Sequence, residues 1–469
     1  MDQLKQIAPF VPVFLIGVFI IEVFRRKSAS KQKPLLTCVL DTILSIPYYL
    51  EIGPWGEPND INTAIVGAIK TTGLKDVGSQ DDCQFMTRYD VARKVGMKNC
   101  KATYSPTGYW IACSVIQKRM EARLRLVDYM KKHPAVADIQ MKDPVFVIGF
   151  PRTGTTFLHE LLCLYPGFRS HYTWEQVDNV PGTDDESIEG LEADRALRYK
   201  KHKPRFDFIM KLAGDAIQSI HRIGYDEVEE CTTPCALELP WAVSELPFVA
   251  FSCDETVALG AGETFDWYKK QLQLFTFQCK DRRDQDFTWM LKCPFHLPYL
   301  SELHKTFPEC TVVWTHRDPC DCIASCCSLY ETLMYTAFET PTIDRVNLGK
   351  YVMRYTKLAL KMAFASLKKE ASTFKVEHIR YTDTVENPKE MVKNILAKVG
   401  LEYTSEYNSL LDTYLADNAA KRAALKKTKT DKTVHAYSLE DYGLTREMVE
   451  KEFGEYIDTY KLKEVKKSK

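Results

Sequence analysis

The stretch that decides the fold reads Val145-Phe-Val-Ile-Gly-Phe-Pro-Arg-Thr-Gly-Thr-Thr156. Its first five residues favour a strand, a proline and a glycine then indicate a tight turn, and apolar residues at helical spacing follow. A strand, a loop and a helix start in this order present backbone N–H groups to an anion. Gly149 and Gly154 have the Walker spacing, but Thr155 stands where a nucleotide-triphosphate loop has its lysine. The stretch therefore predicts a phosphate-like ligand, with Arg152 as the cation of the loop.

Composition narrows the class of protein. With 45% hydrophobic residues, the chain of 469 residues can bury a large core. Its 63 basic and 63 acidic residues balance, which argues against a nucleic-acid partner. Fifteen cysteines cannot all pair, and their scattered spacing favours reduced thiols in a domain that faces the cytosol.

The N-terminus has the pattern of a membrane anchor. Ile7 to Phe24 is apolar except for Glu22, and three cations follow directly at 25–27. Eighteen residues reach about 27 Å as a helix, enough to span a bilayer core. The sequence thus predicts a single-pass transmembrane helix within an anchor and basic flank at 1–33, with the rest of the chain in the cytosol. The alternative is a buried N-terminal helix.

The C-terminus agrees with this orientation. The chain ends Lys466-Lys-Ser-Lys469, which resembles the dilysine signal that retains membrane proteins in the endoplasmic reticulum. We therefore expect an endoplasmic-reticulum protein with a cytosolic catalytic domain. A Golgi protein with a lumenal domain is the alternative.

Strand and helix patterns alternate after the first motif. Further strands are predicted at Thr288–Lys292, Cys310–Thr315 and Phe374–Tyr381. The pattern predicts an α/β fold of the P-loop type, a doubly wound and mainly parallel sheet flanked by helices. We expect a helical N-terminal region at 34–142, a catalytic domain at 143–469, and a mobile basic loop at 419–432.

Four segments together resemble the PAPS-dependent sulfotransferases, and the last of them, His435 to Leu444, resembles the branch found in bacteria and invertebrates. In that family the loop at 151–157 binds the 5′-phosphosulfate, and an arginine and a serine at the spacing of Arg317 and Ser325 hold the 3′-phosphate. The segment 380–383 is similar to the family's adenosine-side segment. The PAPS-binding residues that the resemblance implies are Arg152, Thr153, Gly154, Thr155, Thr156, Phe157, Arg317, Ser325 and Tyr381.

The resemblance implies in-line transfer of the sulfuryl group of PAPS to a hydroxyl or amine, with PAP leaving and no metal required. Positioning and charge stabilisation carry such a reaction. Two alternatives remain: a P-loop kinase or NTPase, which the missing Walker lysine disfavours, and a membrane-tethered protein that binds PAP or PAPS without catalysis. The oligomeric state is open.

The acceptor hydroxyl needs a general base. Glu175 is the first candidate and His221 the second, each by analogy with a branch of the family, and Glu229 and Glu230 are a third possibility. Lys292, at the end of a strand, is expected to contact the sulfonate or the bridging oxygen. The apolar segment 239–251 suggests a site for a lipophilic alcohol, sterol or lipid.

Four cysteines at 320, 322, 326 and 327 follow the second phosphate motif. They could suggest zinc, but one helix cannot direct all four sulfurs to one metal, and no second ligand pair accompanies them. Free thiols packed within a helix are the favoured interpretation, and no metal is expected.

Overall fold

The computed structural model describes residues 10–30, 33–56, 61–78, 82–214, 217–218, 223–231, 251–258, 260–279, 287–369, 374–427 and 437–463. Within these residues the chain forms a parallel sheet with helices on both faces. This arrangement confirms the predicted α/β architecture.

Helices occupy the described chain before the first strand. They are α1 Phe10–Ala29, α2 Leu35–Tyr49, α3 Ile61–Thr72, α4 Asp82–Cys100 and α5 Pro106–Lys132. Helix α5 begins where Ser105 accepts a hydrogen bond from Gly108 N and a proline takes the first helical position. Helices α3 and α5 share a small apolar cluster that includes Ile61 and Leu124. The predicted helical character of 34–142 is therefore observed, while the domain boundaries stay a prediction.

The sheet in the described residues has five strands in the order β2-β3-β1-β4-β5, all parallel. The strands are β1 Val145–Gly149, β2 Phe168–Arg169, β3 Thr288–Lys292, β4 Thr311–His316 and β5 Lys375–Arg380. The four predicted strands are present within a residue or two of their expected bounds. The short edge strand β2 was not predicted, because two residues leave no period to detect.

Both faces of the central strand β1 are buried, as a parallel sheet requires. Phe146 and Ile148 belong to the larger apolar cluster, and Val145 and Val147 to the cluster on the opposite face. The flanking helices are α6 Thr155–Cys163, α7 Thr173–Val177, α8 Ile188–Ala213, α9 Cys253–Ala258, α10 Thr264–Gln278, α11 Leu300–Thr306, α12 Pro319–Ala337, α13 Arg345–Lys369, α14 Tyr381–Glu386, α15 Pro388–Lys398, α16 Ser405–Lys427 and α17 Arg446–Thr459.

The predicted membrane span is not supported. No helix in the described ranges is long and apolar enough to cross a membrane. Within α1, Glu22, Arg25 and Arg26 occupy the turns after Ile21.

Two further expectations concern a loop and the cysteines. Helix α16 continues through Lys427, so most of the loop predicted from Ala419 is helical; alanine, lysine and arginine are strong helix formers. The four cysteines on α12 are free and buried. Among the described residues, no group of three or more His, Cys, Asp or Glu side chains could hold a metal ion.

Candidate active site

The loop between β1 and α6 depends on backbone conformations that glycine favours. Gly149 has φ 146° and Gly154 has φ 88°. A Cβ at Gly154 would lie 2.7 Å from the ring of Tyr381, so the loop backbone passes directly beneath that ring. Arg152 adopts φ 77° without being glycine, a strained conformation of the kind that is concentrated at functional sites. The loop is therefore held in one shape by its neighbours.

Thr153 supports the loop from behind. Its hydroxyl is buried, donates to Phe150 O at 2.7 Å and lies 2.6 Å from the hydroxyl of Thr315 on β4. Its N–H also bonds Phe150 O. The predicted contact from Thr153 to an anion is therefore not what the geometry favours. The first-turn N–H groups of α6, beginning at Thr155 and Thr156, have no acceptor within the helix and remain the anion cradle.

Arg152 and Ser325 meet although 173 positions separate them. The Nε of Arg152 donates to the hydroxyl of Ser325 at 3.1 Å, and the hydroxyl of Tyr437 donates to the same oxygen at 2.8 Å. Ser325 lies two turns into α12, which begins directly after β4, while Arg152 follows the adjacent β1. The carboxyl ends of neighbouring parallel strands thus bring the two predicted anion-binding motifs together.

Arg317 completes this group. Its Nη1 donates to the backbone oxygen of Arg152 at 3.1 Å, and its guanidinium carbon lies 4.4 Å from the centre of the Tyr381 ring. Its Nε is buried and has no hydrogen-bond partner among the described residues. A buried guanidinium N–H of this kind is costly unless an acceptor satisfies it. The group is therefore suited to a phosphate.

These observations fit PAPS in two respects. The cradle at the start of α6 suits one anionic group, and the cluster of two arginines, a serine and two tyrosines suits a second. In Arg317, which stacks on Tyr381, Nη1 donates to Arg152 O and Nη2 lies 3.4 Å from Oδ2 of Asp321, so the buried Nε is the N–H that lacks an acceptor among the described residues. The members of this second cluster are Arg152, Arg317, Ser325, Tyr381 and Tyr437.

Phe157 has a different neighbourhood from the one expected. It is partly buried against the apolar cluster on the α6 face, and its ring centre lies 6.4 Å from that of Tyr414 on α16. Tyr381 contacts the loop instead. The structure thus favours core packing for Phe157 over stacking on adenine.

Lys292 lies on the same side of the sheet as the loop helix. It ends β3, and Met290, two residues earlier, packs with Leu158 and Leu161 of α6, so alternation along the strand directs Lys292 to that face. Its Nζ lies 2.7 Å from Oε2 of Glu230. Burial by itself would lower the pKa of Lys292, but the carboxylates of Glu230 and Glu229 outweigh it and raise that pKa. The buried lysine is therefore charged.

Glu230 is held in place by backbone contacts around it. Glu229 N donates to His171 O at 2.9 Å, Cys231 N donates to Lys292 O at 2.9 Å, and Gln176 donates to the backbone oxygen of Glu230 at 2.9 Å. The Glu230 side chain is still 14% exposed, whereas Lys292 is 2% exposed. Glu230 is the member of the pair that a substrate can reach.

Glu175, the first candidate for the base, has other partners. Its Oε1 lies 2.7 Å from Arg169 and 3.0 Å from Arg195, and its Oε2 accepts from Tyr172 N at 3.1 Å. Both carboxylate oxygens are occupied and the side chain is buried. This geometry argues against Glu175 as the base. The second candidate, His221, lies outside the described residues.

His159, inside α6, is a packed and neutral side chain. Its Nε2 lies 3.0 Å from Ser170 Oγ and 3.2 Å from Met290 O. Burial, followed by the charge of Lys292, lowers the pKa of His159 to about 3. It supports the sheet rather than exchanging protons near neutral pH.

Sequence reasoning missed one member of the anion cluster and did not pair Glu230 with Lys292. Tyr437 lies 112 positions from Ser325, and nothing local in the sequence signals that contact. Glu230 was visible within the acidic run 226–230, but such runs usually indicate a solvated face. Its position opposite a strand-end lysine is the signal that distinguishes it.

Comparison with known proteins agrees with this geometry. The omega-hydroxy-beta-dihydromenaquinone-9 sulfotransferase Stf3 of Mycobacterium bovis is 26% identical over 335 residues, covering 69% of this chain and 77% of that protein. Two solved structures share the fold. The sulfotransferase STF1 of Mycobacterium tuberculosis has a TM-score of 0.63 at 24% identity, over 84% of this chain and 98% of that one. The sulfotransferase STF9 of Mycobacterium avium has 0.66 at 21% identity, over 87% and 98%.

The family itself is decided by a broader match. The model of the sulfotransferase family matches residues 144–405, from the residue before β1 to the first residue of α16 and more than half of the chain. This range contains the loop at 149–156, Glu230, Lys292 and the Arg317–Ser325 motif. The chain belongs to the sulfotransferase family.

Proposed function

We propose that this sulfotransferase takes its sulfuryl group from PAPS and transfers it to a hydroxyl of a lipophilic acceptor. The observation that carries the choice of donor is the pair of anion sites that share the loop between β1 and α6. One site is the first turn of α6, and the other is the cluster of Arg152, Arg317 and Ser325. A donor with a second phosphate on its ribose matches two sites; a simple sulfate ester would need one.

The roles of the residues follow from their contacts. The first-turn N–H groups of α6 hold the phosphosulfate, which supplies the sulfuryl group when bound. Arg317, with its buried Nε, binds the 3′-phosphate together with Ser325, whose hydroxyl Tyr437 orients. Arg152 lies between the two sites and neutralises charge on both. Thr155 replaces the Walker lysine, which agrees with sulfuryl rather than nucleotide-triphosphate chemistry.

Glu230 is the general base of this proposal. A carboxylate that is reachable from outside and fixed by its backbone can accept the proton of the acceptor hydroxyl. Proton transfer to Glu230 would remove the carboxylate that forms the ion pair with the buried ammonium of Lys292. An unpaired buried cation favours negative charge developing nearby. The ion pair thus couples removal of the proton to stabilisation of the leaving oxygen.

A lipophilic acceptor is supported by the named substrate of a relative. Stf3 is named for an omega-hydroxylated menaquinone derivative. The apolar segment 239–251 that suggested a greasy acceptor site lies almost entirely outside the described residues. The acceptor class therefore rests on the relative and on sequence composition.

We also propose location at the endoplasmic reticulum with the catalytic domain in the cytosol. The cysteines support this, because fifteen cannot all pair and reduced thiols are typical of a cytosolic domain. Most of the cysteines that the structure identifies as free are buried. Protease protection on sealed microsomes tests the orientation. A fully protected catalytic domain would favour the Golgi lumen instead.

The central experiment separates binding from transfer. Wild-type protein, Glu230→Gln and Arg152→Ala are compared for PAP affinity by calorimetry and for transfer from labelled PAPS to a panel of hydroxylated isoprenoid and sterol acceptors. We expect Glu230→Gln to keep PAP affinity and lose transfer by roughly 100-fold or more, the contribution typical of a positioned base. Arg152→Ala should lose affinity itself.

Matched controls and opposing outcomes make the test decisive. Glu229→Gln, one residue away, should retain most of the transfer rate. Full transfer by Glu230→Gln would remove Glu230 from the mechanism, and unchanged PAP affinity in Arg152→Ala would refute the donor site. Tight PAP binding with no transfer to any acceptor would favour a protein that binds the donor without catalysis.

A further inference from the structure

Helices α1 and α2 present an extended apolar surface, here called the outer face. Large apolar side chains on both helices and the turn after them are exposed. The outer face consists of Leu15, Ile16, Val18, Ile20, Ile21, Phe24, Leu35, Leu36, Ile43, Ile46, Tyr49, Leu50 and Ile52. Single exposed apolar residues need no explanation, but a continuous set of this size marks a surface that another apolar body covers.

The polarity of the two helices is inverted relative to that of a water-soluble domain. Their polar side chains are turned inward: Thr37, Asp41 and Thr42 of α2 are buried, as are Arg26 of α1 and Lys33 between the helices. Asp41 lies 2.6 Å from Lys33 Nζ and accepts from Thr107 N at 2.9 Å. In water the reverse arrangement would be more stable. Burying charged groups costs free energy, and apolar area that stays exposed contributes no hydrophobic stabilisation.

Charge is missing from the outer face in the same way. Asp41 is the one charged residue in Leu35–Tyr49, and it is buried. On α1, the residues Phe10–Ile21 include no charged side chain, and the first charged residue of the helix is Glu22. Two adjoining helices without an exposed charge along this length are not built for water.

The outer face cannot fold back onto its own domain as the chain stands. Thr37 donates to Leu212 O at the end of α8 at 2.8 Å, and Arg26 donates to Glu339 at 2.7 Å. Tyr48 donates to Tyr104 O at 3.3 Å. These bonds attach the inner side of the helix pair to the domain and keep the outer face directed away from it.

We propose that the outer face docks the enzyme on a lipid bilayer, with α1 and α2 lying in the plane of its surface. Helix α1 is exposed on most of its circumference, since Leu15, Ile16, Val18, Ile20 and Ile21 cover more than one side of a helix. A protein partner would cover one side of such a helix. The boundary between the acyl chains and the headgroups of a bilayer would surround α1. Interfacial helices enter that boundary by about 5–10 Å.

Charge at the edge of the face supports the same occupant. The sequence from Glu22 to Lys33 contains five cations and one carboxylate, and Arg25, next to Phe24 of the outer face, is 59% exposed. Lys27 donates to the backbone oxygen of Lys33 at 2.7 Å. A net positive edge attracts anionic headgroups and repels a second copy of the same edge.

Vesicle binding of the full-length protein tests the proposal. Purified protein is sedimented with vesicles of phosphatidylcholine, alone or mixed with phosphatidylserine, in the absence of donor and acceptor. Ile21→Gln and Ile46→Gln remove apolar side chains that are each 69% exposed, and Leu197→Gln on α8 is the control at the same 69% exposure. Each variant in the outer face should lower the partition coefficient roughly tenfold, and the control should not change it.

Each result supports or overturns the proposal. Binding to both kinds of vesicle, stronger with phosphatidylserine and weakened by the outer-face variants, supports it. Absence of wild-type binding to either vesicle, or equal loss in Leu197→Gln, overturns it. A wild-type dimer in sedimentation equilibrium that Ile21→Gln dissociates would assign the face to a second copy instead. Because no donor or acceptor is present, failure here leaves the proposed sulfotransferase reaction untouched.

Discussion

Replacing Gly154 by alanine tests whether the loop and the Tyr381 ring form one anion site. The residue has φ 88°, so an L side chain there costs about 1–2 kcal/mol of folding free energy from backbone strain alone. The new Cβ would lie 2.7 Å from Cδ2 and 3.1 Å from Cε2 of Tyr381. Normal carbon contacts are near 3.5–4.0 Å, so the ring must retreat by about 1 Å.

The retreat should weaken PAP binding specifically. The Tyr381 ring lies 4.4 Å from the guanidinium carbon of Arg317, and a cation–π contact of this kind contributes about 0.5–2 kcal/mol. Moving the ring shifts the arginine that we assign to the 3′-phosphate. We therefore expect the Kd for PAP to rise about tenfold, equivalent to about 1.4 kcal/mol, as measured by calorimetric titration.

Two other glycines provide matched controls. Gly400 has φ 72° and Gly73 has φ 74°, and a Cβ at either position would meet no heavy atom within 4 Å. Gly400→Ala and Gly73→Ala should therefore lose a similar 1–2 kcal/mol in urea unfolding, from the same strain, while PAP affinity stays at the wild-type value. The comparison removes backbone strain as an explanation.

A double substitution identifies the contact responsible. In a Tyr381→Ala background the clash is gone, so adding Gly154→Ala should reduce PAP affinity by much less than it does in the wild type. Wild-type PAP affinity in Gly154→Ala, or an equal loss in both backgrounds, would show that the ring and the loop do not form a common site.

Three further outcomes are expected. Burial lowers the pKa to about 3 for His159 and His296 and to about 2 for His316, and it lowers the pKa of His171 well below 6.5. The unfolded chain therefore binds more protons below pH 6.5, and the free energy of urea unfolding should fall there by roughly 1.4 kcal/mol per pH unit for each of these histidines. His159→Gln should remove one such share of the slope. Ser325→Ala should weaken PAP binding about five- to tenfold through the lost hydroxyl, while Ser328→Ala, one turn along α12, leaves calorimetric affinity unchanged. Glu175→Gln should lower the free energy of unfolding by about 3 kcal/mol, because Arg169 is then buried with a weaker partner. The transfer rate per folded molecule should stay near the wild-type value. A specific loss of transfer would make Glu175 a candidate for the base again.

Much of the fold was predictable because its signals are local. Strands β1, β3 and β4 are short, largely apolar runs that end at Gly149, Lys292 and His316, and a buried parallel strand requires that composition. The loop motif and the Arg317–Ser325 spacing were equally visible. Since both follow adjacent strands, the parallel sheet by itself places them at one edge.

The base could not be predicted in the same way. Glu175 and Glu230 are both acidic residues between the first motif and β3. The sequence does not show which of the two carboxylates forms salt bridges with arginines. Arg169 and Arg195 pair with Glu175 from two different elements. Only the tertiary arrangement assigns one carboxylate to the support of the fold and leaves the other beside Lys292.

The predicted membrane span at the N-terminus is not supported, and the reason is related. Hydropathy counts apolar residues but not the direction in which they face. Large apolar side chains of α1 such as Leu15 and Ile21 are exposed, while Arg26 is bonded inward to Glu339, a residue 313 positions away. In the sequence, an apolar helix whose cations are bonded to the domain has the same pattern as a membrane span followed by basic flanking residues.

The order of strands divides the site into two parts that should respond differently to substitution. Arg317 and Tyr381 follow β4 and β5, which lie on one side of the central strand β1. Arg152 follows β1 itself. Lys292 ends β3 on the other side, where it holds Glu230. Under the proposed reaction, donor recognition lies on the β4–β5 side and proton removal on the β3 side, and only the loop after β1 belongs to both. Substitutions on the β4–β5 side should therefore act mainly on donor affinity and those on the β3 side on turnover, whereas Arg152 should affect both quantities because it follows the strand at the boundary.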